Sequence, residues 1–116
     1  MSYDLAVWDG ARPLDDEQAG SVYDELCARH LESDEAAAPP TPAVVAYVEA
    51  LLRRYPDDID GDTVWASPPV MDEASGPIVY LVMSYRAAQE VLDHAASLAR
   101  EHGLVCYDPQ VARLRA

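Results

Sequence analysis

The stretch from Ser84 to Gln110 constrains the fold more than any other part of the chain. Ala88, Val91, Leu92, Ala95, Leu98 and Ala99 recur three and four apart, while Gln89, Glu90, Asp93, Ser97, Arg100 and Glu101 fill the other side. That spacing predicts an amphipathic helix from about Tyr85 to His102. Ser84 is its expected cap, Gly103 supplies the left-handed C-terminal residue, and Arg100 and His102 suit the negative helix end. Leu104-Val105-Cys106-Tyr107 follows at once as a strand, stopped by Asp108-Pro109. Tyr3 to Trp8, closed by the turn signal Asp9-Gly10, reads as a strand it could pair with. Leu5-Ala6-Val7-Trp8 does not alternate, which suits a strand covered on both faces or placed centrally.

Two more helices lie between these elements. Asp15 caps the first, and Gln18 completes an approximate capping box. Leu14 is placed to staple onto Ala19. Ala19, Val22, Tyr23, Leu26, Cys27 and Leu31 form its apolar stripe. The proline-rich run Ser33 to Pro42 is a loop. Thr41 caps the second helix with Pro42 in its first position, and Val44, Val48, Leu51, Leu52 and Tyr55 form its stripe. Asp57 to Asp62 is an acidic loop. Thr63 to Ala66 reads as a strand broken by Pro68-Pro69, hence an edge strand. Ile78 to Met83 is the longest apolar run, expected as a central strand.

The order β-α-α-β-β-α-β predicts an α+β, ferredoxin-like sandwich. Its four-stranded antiparallel sheet would run 4-1-3-2, with the helices mainly on one face. The chain of 116 residues is one domain's worth, and residues 110–116 are expected to fray.

Charge excludes several partners. Residues 1–85 carry 17 acids against four arginines, and residues 86–116 carry four of each; there is no lysine. A nucleic-acid binder needs a cationic face to displace counterions, and anionic membranes need one too. DNA, RNA and membranes are therefore poor partners. No run approaches the roughly 18 apolar residues of a membrane span. No secretory signal is evident, so the expected compartment is the cytoplasm. Cys27 and Cys106 are read as buried thiols.

Nothing in the sequence carries recognisable catalysis, and no cofactor or metal is implied. His94 and His102 stand eight apart, about 80° around a helix, and His30 is remote from both. Asp58-x-Asp60-x-Asp62 opens like a calcium loop, but the turn glycine and the closing glutamate are replaced by Thr63 and Pro69. Ser75-Gly76-Pro77 precedes a strand rather than a helix, so it is a turn and not a nucleophile elbow. Adjacent acids such as Asp15-Asp16 and Asp24-Glu25 diverge on a helix and cannot flank one bond. Trp8, Trp65, Tyr80 and Tyr107 are expected to pack on the sheet.

Met1 to Trp8 and His102 to Gln110 resemble the two ends of small, acidic bacterial single-domain proteins without an assigned function. The lysine-free, Ala/Arg/Asp-rich composition resembles that of high-GC bacteria. The resemblance covers the ends and not the middle, and it implies no catalytic residues. Some proteins of this size and acidity are immunity proteins that neutralise antibacterial toxins. The expected function is thus a non-enzymatic protein-binding domain, an immunity-type inhibitor of a basic toxin. Asp34, Glu35, Asp57, Asp58, Asp60 and Asp62 are the expected contacts with the basic partner. The alternative is a small-ligand or regulatory domain, or a homodimer joined through its sheet.

Overall fold

The computed structural model describes residues 2–31, 38–57, 63–66 and 69–115. Strand β1 (Ser2–Trp8) leads to helix α1 (Asp16–Leu26), which continues as a π turn over Cys27–Leu31. Helix α2 spans Pro42–Arg54, and a 3-10 turn covers Val70–Glu73. Strands β2 (Ala74–Ser75) and β3 (Ile78–Ser84), helix α3 (Ala88–Glu101), and strands β4 (Val105–Asp108) and β5 (Arg113–Leu114) complete the chain. The fold is α+β, with one five-stranded antiparallel sheet in the order β2-β3-β1-β4-β5.

The centre of the sheet is the long β1–β3 pair, in register from Ser2 opposite Ser84 to Trp8 opposite Ile78. Alternate residues of β1 face opposite ways. Leu5 and Val7 join Val79, Leu81, Met83 and Cys106 against α2 and α3. Ala6 and Trp8 join Ile78, Val105 and Tyr107 against α1 and the π turn. Both faces of the central strands are apolar, so both must be covered.

That two-sided burial corrects the expected arrangement. The helices are not mainly on one face, because α1 takes the opposite side from α2 and α3. The sheet has five strands, not four, so the expected 4-1-3-2 order is replaced by the five-strand order above. Residues 113–114, expected to fray, pair with β4 as β5. Of the strand expected at Thr63–Ala66, only Trp65 bridges Met83. Ser84 N donates to Val64 O at 2.7 Å and Ala66 N to Val82 O at 2.9 Å, and among the described residues the pairing goes no further. The two-residue β2 pairs with β3 instead.

The helix starts follow the sequence with two exceptions. Asp15 accepts from Gln18 N at 2.8 Å, and Thr41 accepts from Val44 N at 3.4 Å ahead of Pro42. Gln18 reaches back, but to Leu14 N at 2.6 Å. Leu14 is 89% exposed, so the hydrophobic staple is absent. Helix α3 begins at Ala88 without a side-chain cap, three residues later than expected; Ala87 N closes a turn onto Ser84 O instead. The stripe of α2 includes Tyr47, which its polar hydroxyl concealed in the sequence. Fully buried, Tyr47 donates to Ala95 O of α3 at 2.9 Å and so ties the two helices together.

Two glycines lie close against neighbouring side chains. Gly20 sits in α1 beneath the Tyr107 hydroxyl, which lies 3.2 Å from where a Cβ would stand. Gly76 has a positive φ of 54° and lies against the His30 ring, 3.0 Å from the same position. Its N–H and C=O bond Ala38 O and Thr41 N, so this turn anchors the start of α2.

Candidate functional site

The densest polar network among the described residues joins the two chain ends beside β4. Asp108 is completely buried at the end of that strand. Its Oδ2 accepts from the Tyr3 hydroxyl, from Arg115 Nε at 3.1 Å and from Arg115 Nη2 at 2.9 Å. Its Oδ1 accepts from Gln110 N at 3.1 Å and Nε2 at 2.7 Å. A buried carboxylate is tolerated only when its lone pairs are met by donors and its charge by a cation. Burial pushes the Asp108 carboxyl up, but the bonds from Tyr3, Arg115 and Gln110 and the charge of Arg115 outweigh it and hold it below its usual value. The same contact, added to burial, raises the Tyr3 phenol.

Gln110 also mends the sheet. The β1–β4 register sets Ala6 opposite Tyr107, so two residues further on Asp4 meets Pro109. Proline has no N–H to give. The Gln110 side chain takes its place: Oε1 accepts from Asp4 N at 2.8 Å, and Nε2 donates to Asp4 O at 2.7 Å. Gln110→Ala is expected to lower stability by about 1 kcal/mol and to remove hydrogen-exchange protection at the Asp4 amide. An unchanged Asp4 exchange rate would contradict this role.

A second cluster lies on the α1 face. The Tyr80 hydroxyl donates to Asp4 Oδ2 at 2.8 Å. Burial, then the bonds to Asp4 and Tyr23, raises the Tyr80 phenol, and burial pushes the Tyr23 phenol up to about 12. These are protonated structural phenols at neutral pH. Tyr107 stacks between α1 and Trp8, with ring centroids 5.2 Å from Tyr23 and 6.0 Å from Trp8.

The remaining candidate chemistry is dispersed. Cys27 and Cys106 are buried on opposite faces of the sheet and form no disulfide. Burial pushes the Cys106 thiol up to about 12, which makes it a poor nucleophile at neutral pH. His94 and His102 lie edge-on to Tyr55 and Tyr47, and His30 covers Gly76. Among the described residues, no three His, Cys, Asp or Glu side chains converge as metal ligands. No described helix is long and apolar enough to cross a membrane.

Of the expected partner contacts, Asp34, Glu35, Asp58, Asp60 and Asp62 lie outside the described residues. Asp57 is half-buried and its Oδ1 accepts from Val70 N at 3.0 Å, so it braces the 3-10 turn. The structure adds a different acidic surface. Asp16, Glu17, Asp24 and Glu25 are all exposed on α1, and Arg29 offsets only Glu25, at 3.0 Å. Seven residues apart, Glu17 and Asp24 project in nearly the same direction. The fold and these sites define a small α+β domain in which the Asp108 network ties the two chain ends together and the α1 face is acidic. Comparison with protein-family models, curated proteins and solved structures finds no match.

Proposed function

We propose that this chain is a non-enzymatic protein-binding domain that takes a basic protein partner. The observation that carries the reading is the acidic exposed face of α1, in a chain whose acid excess lies wholly in residues 1–85. Such a face steers a cationic partner to one side of the domain and raises its association rate. The sheet and the neutral last third hold the helix in place. The narrower form of the proposal is an immunity-type inhibitor of a basic toxin, an analogy of size and acidity alone. The test is a pull-down with the product of the neighbouring gene at about 0.05 M and about 0.5 M salt, since screening weakens steering. A complex that forms at low salt and thins at high salt is the expected result. No complex at either salt removes the proposal.

A further inference from the structure

Helix α1 covers only part of its side of the sheet. Ala6, Trp8 and Ile78 lie beneath it and are buried. By alternation the same side continues through Asp4 and Ser2 of β1, and through Val82 and Ser84 of β3. None of these four is fully buried, whereas Leu5, Leu81 and Met83 on the opposite side are completely so. Val82 stands directly across from Asp4 and belongs to neither core cluster. We propose that this open half-face anchors an arginine side chain of the basic partner, with the Asp4 carboxylate as its counter-ion. The proposal rests on the basic-partner reading and names the side chain that seats beside α1.

Asp4 is placed to meet a cation. Its Oδ2 accepts from the Tyr80 hydroxyl at 2.8 Å, and its Oδ1 accepts from the Ser2 hydroxyl at 3.4 Å. Two hydroxyls leave lone pairs of a carboxylate unused. Asp4 forms no ion pair among the described residues. The arginines of the chain end are turned away from it. Asp108 alternates with Tyr107, so it lies on the α2–α3 side together with Arg113, which faces it across the strands, and Arg115, which binds it.

Further acids stand around the same rings. The Tyr23 phenol is raised by burial first, with the charge of Asp4 among the smaller causes. The Tyr107 phenol is raised by burial, then by Asp24 and Asp16. These two rings are neighbours, with centroids 5.2 Å apart. A cation beside them meets negative potential from the sheet and from α1 together.

The surroundings of Asp4 select guanidinium among cations. A metal ion is a poorer occupant, because no three ligating side chains converge among the described residues. A planar guanidinium makes two-point contact with a carboxylate. It is also weakly hydrated, so it can lie against Val82 and the half-buried rings of Tyr23 and Tyr80. A lysine ammonium holds its water more strongly and gains less from that wall.

The test is a titration of the whole chain, followed by amide NMR shifts at constant ionic strength. The probes are N-acetyl-arginine amide, its lysine counterpart, and its uncharged citrulline counterpart. For the arginine probe, saturable shifts centred on Asp4, Tyr80 and Val82 are expected, with Kd on the order of 10 mM. The lysine probe should bind at least about three-fold more weakly. Asp4→Asn still accepts from Tyr80, so it should weaken the arginine probe about five-fold at unchanged Tm. Citrulline or lysine binding as tight as arginine would overturn the ligand class. Absence of saturation, shifts confined to α1, or identical binding by Asp4→Asn would overturn the site. A failed titration beside an intact pull-down complex overturns this anchor alone. A failed pull-down beside saturable arginine binding overturns the protein partner and leaves the guanidinium site.

Discussion

Trp8→Ala is expected to lower unfolding stability by about 4 kcal/mol, read as a shift in the urea midpoint at unchanged slope. Trp8 is only 1% exposed and closes the α1 side of the sheet, against Ile78, Val105 and Tyr107. Truncation there removes apolar burial and opens a cavity between a rigid sheet and a helix, which cannot fully collapse. A domain of this size has about 5–15 kcal/mol to lose, so the variant is expected to fold marginally. Trp8→Phe separates packing from polarity. The Trp8 Nε1 has no protein partner among the described residues, so losing it breaks no hydrogen bond. The similarly buried Trp65 donates from Nε1 to Tyr55 O at 2.6 Å. Trp65→Phe should therefore cost about 1 kcal/mol more than Trp8→Phe. Equal losses for the two phenylalanine variants would contradict the assigned partners.

Asp108→Ala should cost about 3 kcal/mol, because it strands Tyr3, Gln110 and Arg115 together. Asp108→Asn keeps the shape and loses the charge, for about 2 kcal/mol. The pH dependence gives the sign. The folded carboxyl is held below its usual 3.8, so its contribution is present above that value and is lost as the pH falls through the lower folded value. The stability gap between the native chain and Asp108→Asn should therefore be flat from about pH 5 to 7 and shrink below about pH 4. A gap that stays constant down to pH 3 would show that the charge of Asp108 does not stabilise the fold.

Much of the framework is legible in the sequence. The periodicity of α3 and the cap pair Thr41-Pro42 both mark real elements. Leu5-Ala6-Val7-Trp8 carried more information than a one-sided sandwich could use: its failure to alternate records burial on both faces. The fifth strand was not legible, because its hold on the fold depends on contacts about 100 residues apart. Leu114 N bonds Asp16, and Tyr3 meets the carboxylate that Arg115 pairs with. Nothing local in Val111 to Arg115 announces this. Asp108-Pro109-Gln110 reads as a strand stop, and only the register of β1 against β4 turns Gln110 into a replacement for the missing proline donor. The strand expected at Thr63–Ala66 has the right residue types, but among the described residues it forms a single bridge, from Trp65 to Met83. The exposed acids of α1 were visible as residues. Their shared outward direction depends on which side of the helix the sheet occupies.

On the proposal that the acidic α1 face receives a basic partner, association should depend on the charge of that face. The most direct test is the association rate of the neighbouring-gene product with the native chain and with the double variant Glu17→Gln, Asp24→Asn, measured at about 0.05 M and about 0.5 M salt. Both side chains are exposed and make no ion pair among the described residues, so the variant should fold normally. The expected association rate is about ten-fold slower for the variant at low salt, with the difference vanishing at high salt and the dissociation rate little changed. Equal association rates at low salt would contradict it.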